Sequence, residues 1–206
     1  PLVTMAPDLA AAILDWQRWL ADLRRLSPRT VEAYGRDADD LVRFLTGHLG
    51  VPPAIADLDR LSPADYRAFL ARRRRDGLAA PSLARGLSGI RSLIRFLEKR
   101  GEATSAAVSA VAAPKAPRRL PRPLAVSDAL SVLSEARALV DEPWIAARDA
   151  AVLALLYGAG LRISEALSLT TAEAPPEAGG AVRVTGKGGK TRLVPVLPAV
   201  GRAVAA

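Results

Sequence analysis

The 206-residue sequence has no cysteine and a single histidine, His48. Without cysteine the chain has no disulfide, thiolate zinc site, iron–sulfur cluster or cysteine nucleophile. One histidine excludes a His-rich metal centre and leaves little scope for a Ser/His/Asp triad. Aromatic residues make up only 4% of the chain. This scarcity disfavours an RNA-binding helical protein, because such proteins stack bases on exposed rings.

Long apolar segments are also missing. The longest run, 150–161, lies between Asp149 and Arg162 and is far short of the roughly 20 residues that a membrane-spanning helix needs. The first five residues show no basic segment followed by an apolar one, so the sequence predicts no secretory signal. We therefore expect no membrane span and a cytoplasmic protein.

Basic residues exceed acidic ones by eight, and most of the excess lies in one part of the chain. The stretch 72–100 has nine basic and two acidic residues, and 111–123 adds four basic residues with no acid. Lysine and arginine placed on phosphates release condensed counterions, so a concentrated basic surface is typical of proteins that bind nucleic acid. The charge alone is explained equally well by a solvated helix face and a basic linker.

Four amphipathic helices are predicted in the first hundred residues. Each begins near a Ser, Asp or Pro residue that favours a helix start, and three of them end at a glycine. Helices with one apolar face and short loops pack into a bundle. The expected ranges, with caps at Asp8, Ser27 and Ser62 and stops at Gly47, Gly77 and Gly101, are about 8–26, 28–47, 63–76 and 81–101.

The fourth helix has two distinct faces. Its leucine and isoleucine residues share one line, and five basic or small polar residues share a second line roughly opposite, with no acid among them. Such donors suit phosphates and base edges, so we expect this face to contact DNA; an ordinary solvated face is the alternative. The expected DNA contacts are Arg85, Ser88, Ser92, Arg95 and Lys99 on this helix, and Arg29, Thr30 and Arg36 near the start of the second.

Proline separates this bundle from the rest of the chain. Residues 102–123 are rich in Ala, Pro and basic side chains, which predicts an interdomain linker, with Arg118 and Arg119 as further DNA contacts. We expect a helical DNA-binding domain over 1–105, a linker over 106–123 and a second domain over 124–206. The second domain is predicted to hold helices at 127–140 and 144–157, a helical turn at 164–169, and a hairpin of 182–185 with 191–196.

Two positions in the second domain are candidates for chemistry. Arg162 follows a glycine break inside an apolar sequence, and because guanidinium does not deprotonate, it needs an anion such as Glu165 or a phosphate. Lys187 is at the tip of a glycine-rich turn, from which its long side chain can reach a ligand. Taken singly, each feature is more often structural, as an ion pair or as an ordinary hairpin turn.

Four motifs in this order resemble the tyrosine recombinase/integrase family, and Xer-like bacterial recombinases in particular. They are Ser-Pro-x-Thr-x-x-x-Tyr (27–34), Leu-Ser-x-Ile-Arg-Ser (87–92), Gly-Leu-Arg-Ile-Ser-Glu (160–165) and Gly-Lys-Gly-Gly-Lys-Thr-Arg (186–192). The resemblance implies a mainly α fold: a four-helix SAM-like core-binding bundle joined by a linker to the first part of a mixed α+β catalytic domain.

The same resemblance implies site-specific DNA strand exchange through a covalent 3′-phosphotyrosyl intermediate, with no metal and no cofactor. Arg162 matches the arginine that clamps the scissile phosphate, Glu165 its supporting acid, and Lys187 the lysine that protonates the leaving 5′ oxygen. Lys190 and Arg192 are expected to contact DNA. The implied partners are double-stranded DNA and further recombinase subunits, in a cyclic tetramer of one or two subunit types, and the implied role is chromosome dimer resolution at cell division.

The family's His-x-x-Arg box and tyrosine nucleophile come after the hairpin. We therefore expect the natural protein to continue past Ala206, and these 206 residues alone to bind DNA without cleaving it. Tyr34 and Tyr157 lie on apolar helix stripes and are predicted to be core residues, and Tyr66 also stands in no nucleophile context. The alternative function is a DNA-binding regulator or decoy that lacks the nucleophile by nature.

Overall fold

The computed structural model describes residues 4–104, 106–115, 124–125, 127–129, 131–132, 135 and 141–206, and of Lys187 it describes the backbone. The chain divides into two compact units, Pro1–Arg119 and Leu120–Ala206. Within the described ranges, no helix has both the length and the apolar character needed to cross a bilayer.

The first unit is built on four long helices, as the sequence predicts. They enclose one apolar core in which Trp16, Leu45, Leu87 and Ile90 are completely buried. The first unit also contains two short helices. In chain order the helices are α1 (Pro7–Asp22), α2 (Pro28–Leu49), α3 (Ile55–Arg60), α4 (Pro63–Arg75), α5 (Ala80–Lys99) and α6 (Ala106–Ser109).

Local caps explain where α2 and α4 begin. The Ser27 hydroxyl accepts a hydrogen bond from the backbone N–H of Thr30 at 3.3 Å, and Ser62 and Asp65 form the expected reciprocal capping box. The helix α2 runs to Leu49, two residues past its predicted end. It stops at Gly50, whose φ of 74° is a left-handed conformation that favours glycine.

The prediction that Asp8 caps α1 is wrong. The cap position is Ala6, because Pro7 already occupies the first turn. The Asp8 carboxylate instead accepts a hydrogen bond from the backbone N–H of Ile55, at 3.2 Å, at the start of α3, a helix that the sequence did not predict. The helix α1 also ends four residues early, and Arg25, with a left-handed φ of 48°, separates it from α2.

The core of the first unit extends past residue 105, the boundary expected from composition. The helix α6 lies within the expected linker, and Val108 and Val111 are buried in the same core as the bundle. The Arg91 guanidinium holds this segment, because it donates hydrogen bonds to the backbone carbonyls of Val108, at 3.3 Å, and Val111. Arg91 is therefore half-buried and engaged within the first unit, although it lies in the basic stretch 72–100.

The second unit packs helices against one antiparallel hairpin. Its core joins the inward valines of the hairpin to Leu155 and Val200, and in the register Val182 lies opposite Val194. The predicted helix 127–140 lies largely outside the described residues. The residues of this range that are described, 127–129, 131–132 and 135, are helical. The other elements are α7 (Pro143–Gly158), α8 (Ile163–Ala166), β1 (Gly180–Thr185), β2 (Thr191–Val196) and α9 (Pro198–Ala205), the last not predicted.

The tyrosines differ in environment. Tyr66 is 2% exposed, and its burial raises the pKa of its hydroxyl. Tyr34 is half-buried and stacks on Trp16 with 6.2 Å between ring centroids. The prediction that Tyr157 is a core residue is wrong, since its side chain is 48% exposed. Most of α7 is apolar on every side, so the sequence pattern could not show which side is covered.

Candidate functional site

One buried carboxylate organises the candidate catalytic residues of the second unit. Glu165 is 3% exposed and accepts four hydrogen bonds. Arg162 donates its backbone N–H at 2.9 Å and Nη1 at 2.8 Å. Arg192 donates Nη1 at 2.7 Å and Nη2 at 2.9 Å, one to each carboxylate oxygen. This two-point pairing is the strongest geometry that arginine and a carboxylate form.

The turn between α7 and α8 brings Arg162 to this carboxylate. Gly160 adopts a φ of 64°, which is a conformation that favours glycine, and it ends the run of α7. Arg162 is the cap residue of α8 and Glu165 lies in the first turn, so the carboxylate folds back onto the Arg162 N–H. The side chain of Arg162 remains 66% exposed. A guanidinium that is anchored by one nitrogen and open to solvent is suited to bind an anion.

Gly186, on the hairpin, lies against the same cluster. A Cβ at this position would be 3.0 Å from Glu165 Oε1, 3.2 Å from Arg192 Nη1 and 3.4 Å from Arg162 Nη1. Its φ of −94° is open to any residue, so glycine is favoured here by space alone. The Gly186 N–H also donates to the Lys190 carbonyl at 2.8 Å, which closes the turn.

Lys187 follows Gly186 directly and begins a single 3₁₀ turn, Lys187–Gly189. The backbone thus places Lys187 one residue from the Glu165 cluster. Its side chain lies outside the described part of the structure, and its role as a proton donor stays a prediction. Lys190, at the other end of the turn, is exposed.

The hydrogen bonds at Glu165 set its charge. The Arg192 side chain, followed by the Arg162 backbone N–H, lowers the pKa of the Glu165 carboxyl to about 2, against the opposing effect of burial. Glu165 is therefore ionised at neutral pH. Two guanidinium groups then share one negative charge, which leaves the cluster one positive charge in excess. Arg192 was expected to contact DNA, and the structure places its guanidinium on Glu165.

The basic face of α5, in the first unit, contains side chains in two different situations. Arg85 Nη2 donates to Asp37 Oδ1 at 3.2 Å, and Asp37 is buried. Ser92 accepts a hydrogen bond from Trp16 Nε1 at 3.2 Å, so both residues help to hold the bundle. Ser88 is exposed and its hydroxyl donates to a carbonyl of its own helix. Arg95 and Lys99 are exposed as expected.

The expected contacts on α2 lie at its surface. Arg29 is exposed, and the Thr30 hydroxyl lies 2.9 Å from that of Ser27. Arg36 forms an exposed ion pair with Glu32, at 2.7 Å, on its own helix. The expected linker contacts, Arg118 and Arg119, lie outside the described residues.

Sequence reasoning missed Arg24, which the structure places beside the basic face of α5. Its guanidinium carbon lies 5.3 Å from the centre of the Trp19 ring, and the Lys99 Nζ lies 5.6 Å from the same point. The signal was the basic pair Arg24-Arg25 just before the Ser27-Pro28 helix start.

Comparison with known proteins agrees with this architecture. Residues 13–101 match the family model described as phage integrase, N-terminal SAM-like domain. The tyrosine recombinase XerC of Mesorhizobium japonicum is 57% identical over 204 residues, which are 99% of this chain and 65% of that protein. The XerC of Brucella suis is 52% identical with the same coverage. The chain is similar to tyrosine recombinases along nearly its whole length. It spans 65% of the length of these two relatives.

Solved structures of lambda integrase and XerH share the fold. A lambda integrase(75-356) dimer bound to a COC′ core site superposes with a TM-score of 0.65 at 20% identity, over 91% of this chain and 62% of that chain. XerH bound to a palindromic difH substrate, in a post-cleavage complex, gives a TM-score of 0.64 at 14% identity, over 98% and 69%. The chain therefore has the mainly α tyrosine recombinase fold with its SAM-like bundle, as the sequence predicts.

Proposed function

We propose that the protein to which this chain belongs is a site-specific tyrosine recombinase. It cuts and rejoins DNA through a 3′-phosphotyrosyl intermediate, and its role is chromosome dimer resolution. The observation that carries the proposal is the buried Glu165 carboxylate, which holds Arg162 and Arg192 beside the hairpin of Lys187. The similarity to proteins named tyrosine recombinase XerC supports it along nearly the whole chain.

Arg162 is assigned to the scissile phosphate. When a tyrosine oxygen attacks phosphorus, negative charge increases on the non-bridging oxygens, and cations fixed in advance stabilise this state. Glu165 holds Arg162 by its backbone and by Nη1, which leaves the exposed part of the guanidinium to donate to those oxygens. Little reorganisation is then needed during the reaction.

Lys187 is assigned to the leaving group. As the bond from tyrosine to phosphorus forms, the bond from phosphorus to the 5′ oxygen breaks, and an alkoxide leaves slowly unless it receives a proton. A lysine on the turn next to Gly186 supplies that proton. The nucleophile is assigned to a tyrosine outside these 206 residues: Tyr66 is buried, Tyr34 is stacked in the bundle, and the exposed Tyr157 stands in no nucleophile motif.

The partners follow from the same assignment. The chain binds duplex DNA through the exposed side chains of α5 and the start of α2, and it acts in the cytoplasm without a cofactor. Further recombinase subunits join it on DNA, as a cyclic tetramer. Lambda integrase has been crystallised both as a dimer on a core site and as a tetramer on a Holliday junction, which supports an assembly of several subunits.

DNA binding is tested by the salt dependence of affinity. Replacing Arg95 and Lys99 with Ala should flatten the slope of log affinity against log salt by up to about 0.9 per lost phosphate contact. Arg43→Ala is the matched control, because Arg43 is an exposed arginine already paired with Asp40. Replacing Arg118 and Arg119 should lower affinity with little effect on sequence preference. An unchanged slope in the double α5 variant would refute the DNA-binding face.

Cleavage is tested with a suicide substrate. The 206-residue chain should bind this DNA and form no covalent adduct, whereas the whole gene product should form one. Tyr157 would be identified as the nucleophile if the 206-residue chain formed an adduct and Tyr157→Phe abolished it. A whole gene product that binds but never cleaves would favour the regulator or decoy.

A further inference from the structure

We propose that the groove between the end of α1 and the basic face of α5 is a binding site for one backbone phosphate of duplex DNA, with Arg24 as its principal ligand. The inference rests on the DNA binding proposed above. Arg24 and the end of α1 are thereby added to the proposed DNA-binding surface, and Trp19 becomes the residue that positions Arg24.

Three cations and no acid are among the described residues that line the groove. It has a volume of about 380 Å³, and Arg24, Arg95 and Lys99 line it together with the hydroxyls of Ser88 and Ser92. In the described part of the chain none of these three cations forms an ion pair. Six of the other described arginines of the first unit do: Arg18, Arg36, Arg43, Arg73, Arg85 and Arg100.

Trp19 brings two of the cations together. The Arg24 guanidinium and the Lys99 ammonium both lie within 6 Å of the centre of its ring, at the distance where a cation is attracted to an aromatic face. Two like charges around one ring repel each other, and an anion between them removes that repulsion. The arrangement therefore favours a bound anion over the empty groove.

The backbone at the end of α1 fixes where Arg24 lies. The Arg24 N–H donates to the Trp19 carbonyl at 3.0 Å, and the Leu26 N–H donates to the Leu20 carbonyl at 3.0 Å. Between them Arg25 adopts a φ of 48°, a left-handed conformation that is unfavourable for a residue with a Cβ. The chain thus leaves α1 in a constrained turn that holds the Arg24 side chain over Trp19.

The groove suits a phosphate and not a base. Trp19 packs against Phe96 with 5.6 Å between ring centroids and is half-buried, so its ring is not free to stack a base. The polar groups that line the groove are guanidinium, ammonium and hydroxyl groups, together with the phenol of Tyr34, and no carboxylate is among the described lining residues. Such donors match the oxygens of a phosphate. A contact with a phosphate positions the protein on the duplex and does not read its sequence.

The test compares Arg24→Ala with Arg18→Ala in the 206-residue chain. Arg18 lies near the end of α1, is exposed and is paired with Asp15. Arg24→Ala should reduce the salt slope by about 0.9 and weaken binding about tenfold at low salt, equally for all duplex sequences, whereas Arg18→Ala should change neither. A cation at a helix end also stabilises the helix, so thermal melting of each variant is measured, and Arg24→Gln serves as a second variant.

The role of Trp19 in positioning Arg24 is tested separately. Trp19→Leu should lower the slope in the natural chain and lower it less in the Arg24→Ala background, where only the contact with Lys99 remains to be lost, a non-additivity that lost stability alone does not produce. An unchanged slope in Arg24→Ala, with a reduced slope in the Arg95 and Lys99 variant, would overturn this inference and leave the proposed DNA binding intact. Unchanged slopes in both would overturn both. A loss of affinity confined to some sequences would indicate a base contact and refute the phosphate site.

Discussion

Gly186 and Glu165 lie so close together that a methyl group on the glycine would be 3.0 Å from the carboxylate oxygen Oε1. The hairpin and the turn before α8 therefore meet at one side chain, which four hydrogen bonds hold in place. Arg162 is hydrogen-bonded to that carboxylate, and Lys187 directly follows the glycine. A change at this contact therefore affects the positions of both Arg162 and Lys187.

Gly186→Ala should loosen the hairpin. The added methyl would displace the paired Glu165 and Arg192 groups by a few tenths of an ångström, and overpacking of this kind costs about 1–3 kcal/mol. Amide hydrogen exchange in β1 and β2 should become faster, while exchange in the first unit stays unchanged. Gly47→Ala is the matched control: Gly47 is helical with nothing within 4 Å of a Cβ, so it should stabilise α2 by about 0.5–1 kcal/mol. Equal exchange rates in Gly186→Ala and the natural chain would contradict the close contact.

The stability of the second unit should fall in acid because of Glu165. Its pKa is lowered from 4.5 to about 2 in the folded chain, so its contribution is complete above the unfolded value and is lost as the pH falls towards 2. Unfolding of β1 and β2, followed by hydrogen exchange or by NMR between pH 6 and about pH 2, should show this decline. In Glu165→Gln the decline should be smaller and the stability at pH 6 lower. Glu177→Gln, which removes an exposed carboxylate of the same unit, should leave the curve unchanged.

Arg192→Lys should separate the two roles considered for Arg192. Lysine keeps the charge and cannot bind both oxygens of Glu165, so cleavage by the whole gene product should fall about 10–100-fold, as expected for one lost charged hydrogen bond. DNA affinity and its salt slope should stay unchanged in the 206-residue chain. The control is Arg183→Lys, on the exposed side of β1. In Arg192→Ala, a slope reduced by about 0.9 would show that Arg192 contacts a phosphate directly, as its sequence position suggested.

Substrates with sulfur at the bridging 5′ position should distinguish Arg162 from Lys187. The thiolate leaves without a proton, so the whole gene product with Lys187→Ala should regain cleavage on this substrate. Arg162→Ala should lower the cleavage rate by a few orders of magnitude on either substrate, because the phosphate charge remains unpaired. Arg162→Lys should restore little of that rate, since lysine lacks the planar two-point donor of arginine. Rescue of both variants alike, or rescue of Lys190→Ala in place of Lys187→Ala, would remove the assignment of the hairpin lysine.

Features that depend on residues close in sequence could be predicted, and those that depend on distant contacts could not. The Ser27 cap acts three residues away and marks the start of α2 correctly. The partner of Asp8 is Ile55, on a helix far along the chain, so nothing local revealed it. The exposure of Tyr157 depends on what covers α7, and a helix that is apolar on most of its sides does not show this in its pattern.

The candidate site divides in the same way. Arg162 and Glu165 are three residues apart and their pairing follows from the start of α8. Arg192 reaches the same carboxylate from another strand, and only the folded hairpin shows that its charge is already engaged. Arg24 lies over Trp19 because of a left-handed turn at Arg25, and a non-glycine residue gives no sign of that conformation in a sequence.

The hold of Arg91 on Val108 and Val111 sets how far the bundle extends along the chain. Because both valines are buried in the core of the first unit and their carbonyls accept hydrogen bonds from Arg91, the folded bundle does not end with α5. A fragment cut after Lys99 would lack both valines and leave the apolar surface that they cover open to water. One half-buried arginine thereby marks the shortest piece of the chain that keeps this core closed.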